Sequence, residues 1–168
     1  MKSQTINEKI KLALFSADTE VVKMAIEKVS EEGNRLYLPV LFDLLNTNPE
    51  YEVEAQIVKL LGSVKDKESV NSFMRAIENE KYINIRKKLI SACWQNGLDF
   101  SSFTPVFIDL IITGDWEVAF EAFTLIDNLE YLPGAEIVKV TKQKIELALP
   151  AANAQVKYFL TEILAKLD

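Results

Sequence analysis

The chain has 168 residues, with 19 basic and 25 acidic side chains giving a net charge of −6, and a body of this length buries roughly 70% of its unfolded surface without needing disulfides. It contains no histidine and a single cysteine, Cys93, which excludes imidazole-based triads, the commonest general base near neutral pH and the preferred nitrogen ligand for zinc. The acidic balance argues against general nucleic-acid binding, which depends on a concentrated positive field.

The amino-terminal stretch MKSQTINEKIKLALFSAD interrupts its apolar residues with charge every few positions, so it reads as neither a secretory segment nor a membrane span. Cys93, unpaired within the chain, reads as a small buried apolar residue. The expectation is a cytoplasmic protein with no membrane partner.

Glycine and proline punctuate the remainder at Gly33-Asn34, Asn48-Pro49, Asn96-Gly97, Gly114-Asp115 and Pro133-Gly134, where helix stops, caps and first-turn prolines belong. These marks predict ten helices in five pairs. The first pair covers Thr5 to Phe15 and Asp18 to Glu31, and the second Leu36 to Asn46 and Pro49 to Val64. The third covers Glu68 to Asn79 and Tyr82 to Gln95, and the fourth Phe103 to Thr113 and Asp115 to Asn128. The fifth covers Ala135 to Leu149 and Ala151 to Leu167. Segments such as IVKLL, LISAC and AFTLI space their apolar residues three and four apart, so strands are a poor reading and the fold class is all-α. No serine-rich, acidic or proline-rich linker divides the chain, so residues 1–168 are read as one domain.

The second helices align on Val21, Val53, Ile85, Val118 and Val156. Four residues later stand Ala25, Ile57, Leu89, Ala122 and Leu160, and eight later Val29, Leu61, Cys93, Ile126 and Leu164, offsets that share one helical face and predict burial. Three residues before the aligned position stand Asp18, Glu50, Tyr82, Asp115 and Asn153, mostly types that favour a helix amino terminus. The first helices repeat less fully, but PVLFDLL at Pro39 to Leu45 matches PVFIDLI at Pro105 to Ile111.

A helical pair recurring near every 32 to 33 residues, with Val53, Ile57, Val58, Leu60, Leu61 and Gly62 in its second helix and Pro39 and Pro105 in its first, resembles the HEAT and HEAT-like repeat family. The resemblance spans about the whole chain, with repeats near residues 5–34, 35–66, 67–100, 101–132 and 133–168. It implies a right-handed α/α superhelix, an armadillo-like solenoid whose second helices line a concave binding side and whose terminal helices act as caps. The basic residue expected just after the aligned position is present only as Arg86 and Lys157; Val22, Glu54 and Ala119 hold the other copies.

Opposite the predicted core face, offset two carries Lys23, Ala55, Lys87, Phe120 and Tyr158, offset six carries Glu27, Lys59, Ser91, Thr124 and Glu162, and offset nine carries Ser30, Gly62, Trp94, Asp127 and Ala165. Trp94, Phe120 and Tyr158 are large aromatics on a face that a purely structural helix leaves polar, the composition of a partner-binding surface. Packing between repeats is the structural alternative for the same three side chains. Residues 101–132 carry six acidic residues and no Lys or Arg, which suggests a basic protein or peptide partner. The expected function is therefore a non-catalytic protein-binding scaffold with no metal or cofactor, using Lys59, Lys87, Trp94, Phe120, Glu121, Asp127 and Tyr158. The rival is a HEAT-like nucleic-acid-binding or repair module working through the basic run Arg86 to Lys88.

Overall fold

Short polar side chains set most of the second-helix starts. Asp18 accepts a hydrogen bond from the Glu20 amide, Asp115 from the Val118 amide and Asn153 from the Val156 amide, each satisfying a helix N–H that has no partner of its own. Pro39 and Pro105 sit in the first turns of the two first helices that share a motif. Gly33 and Gly97 stop their helices in the left-handed region, at φ 61° and 70°.

The computed structural model describes residues 5–168, and these form ten α-helices with short 3-10 segments and no strand. In order they are α1 (Glu8–Leu14), α2 (Thr19–Glu32), α3 (Leu38–Asn46), α4 (Tyr51–Leu61), α5 (Ser69–Ile77), α6 (Arg86–Asn96), α7 (Thr104–Thr113), α8 (Trp116–Asp127), α9 (Ala135–Ala148) and α10 (Ala154–Leu167). Successive helices pack as pairs, α1 on α2 through α9 on α10. The even-numbered helices also pack in a row, α2 on α4, α4 on α6, α6 on α8 and α8 on α10. Among the odd-numbered helices, α3 packs on α5 and α7 on α9.

The core runs continuously through these contacts. The offset-four residues Ala25, Ile57, Leu89, Ala122 and Leu160 are all buried. Behind them an aromatic chain crosses three pairs: Tyr82 meets Phe42 at 6.2 Å, Phe42 meets Phe73 at 5.4 Å, Phe73 meets Phe100 at 6.3 Å and Phe100 meets Phe107 at 6.4 Å. All but the Phe42 to Phe73 pair are near edge-to-face, the geometry the ring quadrupoles favour, and each such pair adds about 0.5–1.5 kcal/mol beyond area burial.

Two local expectations are corrected. Val21 is 38% exposed, and its neighbour Val22 is buried instead, because α2 turns the stripe formed by Val22, Ala25, Ile26 and Val29 into the core and leaves Val21 at its edge. Tyr82 does not open a helix: it lies in the 3-10 segment Glu80–Ile85, and α6 begins at Arg86. The reason is tertiary, since the Tyr82 hydroxyl donates to Asp43 at 2.5 Å and holds the chain against α3. Lys81 donates to the same carboxylate oxygen at 2.8 Å.

Candidate protein-binding face

The seams between neighbouring even-numbered helices reuse two register positions. The residue three after the aligned position reaches back to the preceding pair in all four later copies. Gln56 donates to the Lys23 carbonyl at 3.0 Å, Lys88 pairs with Glu54 at 2.7 Å, Glu121 accepts from Trp94 Nε1 at 2.8 Å, and Phe159 lies 6.4 Å from Phe120 and stacks on Phe123 at 4.6 Å. The residue two after the aligned position reaches forward. Lys23 pairs with Glu52 at 3.1 Å and Lys87 with Glu117 at 2.5 Å, the same pair of positions two repeats apart. The hydrogen bond it donates to Glu52 holds the Lys23 ammonium above its ordinary pKa, and the one donated to Glu117 does so for Lys87. At the α4–α6 seam these positions are Ala55 and Asn84, and at the α8–α10 seam Phe120 and Gln155.

Replacing a lysine by Phe120 changes the chemistry of the last seam. Phe120 is 42% exposed and stacks face to face on Trp116, 59% exposed, with centroids 5.5 Å apart and planes 4° apart. Tyr158, 60% exposed, leans on Phe123 and Phe159, so α8 and α10 together present one cluster of five aromatic rings. Exposed rings backed by buried ones form a rigid apolar platform, because each ring loses little entropy when a partner covers it.

The other candidate residues fall differently. Trp94 is half-buried, with its N–H engaged by Glu121, so both act first as a tie between α6 and α8. Lys87 belongs to the same seam. Lys59 is exposed on α4, and Asp127 is exposed at the end of α8, where its backbone carbonyl accepts from Lys166. The structure thus gathers Phe120 with Tyr158 and gathers Lys87, Trp94 and Glu121, while Lys59 and Asp127 belong to neither group. Sequence reasoning missed Trp116, although its spacing of four from Phe120 is the signal for two rings on one helix face. The same register position holds Tyr51 and Ile83, 83% and 53% exposed.

The charged candidates are largely occupied. Arg86 donates through Nε to the Ile77 carbonyl at 2.7 Å and pairs with Glu80 at 3.4 Å, while Lys87 and Lys88 each hold a carboxylate from a neighbouring repeat. Of the six acids of residues 101–132, Asp109 pairs with Lys144 at 2.9 Å and Glu117 with Lys87, Asp115 caps α8, Glu121 accepts from Trp94, and Asp127 and Glu130 are exposed. Exposed pairs of this kind contribute about 0–1 kcal/mol each and hold register more than they stabilise.

A groove of about 920 Å³ lies where the α6 and α8 ends meet the following loops, lined by Trp94, Phe100, Leu125 and Tyr131 with Lys67 and Glu130 at its polar margin. Cys93 touches its floor but is buried, and burial pushes the thiol well above its usual pKa, leaving it protonated and unreactive at neutral pH. Among the described residues no group of three or more Cys, Asp and Glu side chains is placed to hold a metal ion, and no helix is long and apolar enough to cross a membrane. The chain matches no family model and no curated protein, and the seams and the aromatic platform are the features it offers for an assignment.

Proposed function

We propose that the chain is a non-catalytic scaffold, a right-handed α/α superhelix of five HEAT-like pairs that takes a partner protein or peptide on its second-helix side. The observation that carries this reading is the exposed stack of Trp116 on Phe120, continued by Tyr158 on the next helix. Tryptophan and tyrosine presented on a packed support are the residues that dominate binding energies at protein interfaces. The nucleic-acid alternative loses support because Arg86, Lys87 and Lys88 are each neutralised by a carboxylate. A partner anchored by apolar contacts on the platform binds with only a modest dependence on salt, since Glu117 is already held by Lys87.

The test compares affinity capture by the wild-type chain with capture by Trp116→Ala and Phe120→Ala. A protein retained by the wild type and lost from both variants, with unchanged circular dichroism, supports the platform; equal retention by all three overturns it. Small-angle scattering tests the superhelix separately. A radius of gyration clearly above the roughly 15 Å expected of a compact domain of this length supports an extended stack, and a value at or below it does not.

A further inference from the structure

The seam contacts show that the even-numbered helices run parallel, with their starts side by side. Thr19 donates to Glu50 at 3.2 Å and Lys23 to Glu52 at 3.1 Å, Lys88 reaches Glu54 at 2.7 Å, and Lys87 and then Trp94 reach Glu117 and then Glu121. Two residues before the aligned position stand Thr19, Tyr51, Ile83, Trp116 and Ala154, each at or just before the start of its helix. The middle three are large, apolar and 83%, 53% and 59% exposed. Single exposed apolar residues are common on any surface, but here three neighbouring helices each present one at the same place. The edge around them is acidic. Residues 18–24, 50–56, 82–88 and 115–121 hold eight acidic and four basic side chains, a net of −4, and the roughly half a positive charge at each helix start leaves the edge negative. All four bases are already paired, Lys23 with Glu52, Arg86 with Glu80, Lys87 with Glu117 and Lys88 with Glu54, and Lys81 just outside is held by Asp43. Asp18, Glu50, Asp115 and Glu121 have no cationic partner among the described residues.

From this geometry we infer that the edge takes a basic amphipathic α-helix of a partner protein, laid across the starts of α4, α6 and α8. Packed helices stand about 8–10 Å apart, so the three seats recur at about that interval. Residues seven apart on an α-helix share one face and are about 10.5 Å apart along it, which matches the seats. A β-strand covers the same distance in about three residues, but residues three apart on a strand point to opposite faces. Apolar residues at every seventh position of the partner helix therefore rest on Tyr51, Ile83 and Trp116. Lysines or arginines on both sides of that stripe meet the acids that bracket the seats, Glu50 and Glu52 around Tyr51 and Asp115 and Glu117 around Trp116. The acids have a structural reason to stand at helix starts, whereas the exposed apolar side chains between them have none. The small residues Thr19 and Ala154 bound the row, so it offers three seats and no more. The inference rests on the second-helix side being the binding side and shares Trp116 with the platform, but Tyr51 and Ile83 belong to this edge alone.

Fluorescence anisotropy with a labelled peptide of about 18 residues, leucine at every seventh position on an alanine and arginine background, tests it on the full chain. The wild type is expected to bind this peptide with a Kd below about 100 μM, and far-ultraviolet circular dichroism to show a gain of helix in the mixture. Tyr51→Ala and Ile83→Ala are each expected to weaken binding at least about fivefold, whereas Tyr158→Ala leaves it unchanged. Both replaced side chains are mostly exposed, so these variants keep the wild-type fold. A peptide of the same composition with its leucines spread around the helix, and one with glutamate in place of arginine, are each expected to bind at least about tenfold more weakly. Equal binding of the spread peptide means attraction by charge alone and overturns the inference. So do a wild type that fails to bind the first peptide, a complex that gains no helix, and Tyr51→Ala and Ile83→Ala variants that bind as the wild type does. Capture with Phe120→Ala reads the platform without these two residues, so the two readings fail separately.

Discussion

Trp94 separates a binding residue from a seam residue, and two substitutions decide between them. Its ring is half-buried against the core and its Nε1 hydrogen bond runs 2.8 Å to Glu121 of the next pair. Trp94→Phe removes the N–H while keeping most of the ring. A hydrogen bond to a charged acceptor contributes about 1.5–3 kcal/mol when buried, but Glu121 is only half-buried and regains water, so the loss is expected at about 1 kcal/mol. Trp94→Ala also removes about 150 Å² of buried apolar area, given the 150–250 Å² that aromatic side chains bury, which at about 25 cal/mol per Å² is about 4 kcal/mol, so the combined loss is about 5 kcal/mol. Against a total stability of about 5–15 kcal/mol this is a large fraction. Urea denaturation followed by far-ultraviolet circular dichroism measures both, with the slope unchanged and the midpoint lowered. Phe120→Ala, on a ring 42% exposed, is expected to cost about 1 kcal/mol or a little more. If Trp94→Ala costs less than about 1 kcal/mol, the ring is not packed in the seam and the division between tie and platform is wrong.

Burial alone raises the Asp43 pKa, but the hydrogen bonds from Lys81 and Tyr82 outweigh it and hold the carboxyl below its usual range. A depressed carboxylate contributes stability that is present above its unfolded pKa of about 3.9 and is lost as pH falls through the lower folded value. Acid titration of thermal stability is therefore expected to show a shallower loss below about pH 4 for Asp43→Asn than for the wild type, from a lower starting stability; identical acid limbs count against the linkage. At Gly114 an added Cβ meets the Leu110 carbonyl oxygen at 2.5 Å and Val118 Cγ1 at 2.8 Å, so Gly114→Ala is expected to destabilise by about 1–3 kcal/mol through overpacking. Gly33→Ala meets no atom within 4 Å and suffers only the penalty of its positive φ, about 1 kcal/mol. Melting temperatures of the two variants, ranked Gly114→Ala lowest, check the contrast.

Helical periodicity was enough to read the all-α class and the ten helical segments, because burial at offset four holds in every copy from Ala25 to Leu160. What it did not carry depends on neighbours remote in sequence. Tyr82 sits at a helix-start position by spacing, yet Asp43 on α3 pulls it into a 3-10 turn. Val156 and Leu164 are only half-buried where their equivalents Val53 and Leu61 are fully so, since α10 has a neighbour on one side alone. For the candidate face, spacing found Phe120 and Tyr158 but could not tell that Lys87, Trp94 and Glu121 meet residues of adjacent repeats 27 and 30 positions apart. Trp116 escaped because the face was drawn from offsets after the aligned residue, and it precedes it.

The aromatic chain from Tyr82 to Phe107 also bears on how the molecule opens. It locks pairs two, three and four together through rings of which four are almost wholly shielded from water, whereas α9 buries only Thr141 and Ile145. A row in which helices touch mainly their nearest neighbours unfolds in sections, and the section with the least buried surface opens first. Amide hydrogens of α9 should therefore exchange with solvent well before those of α5 and α7. α10 of the same pair buries Phe159, Leu160, Ile163 and Leu167 and packs on α8, so its amides should stay protected after those of α9 have exchanged.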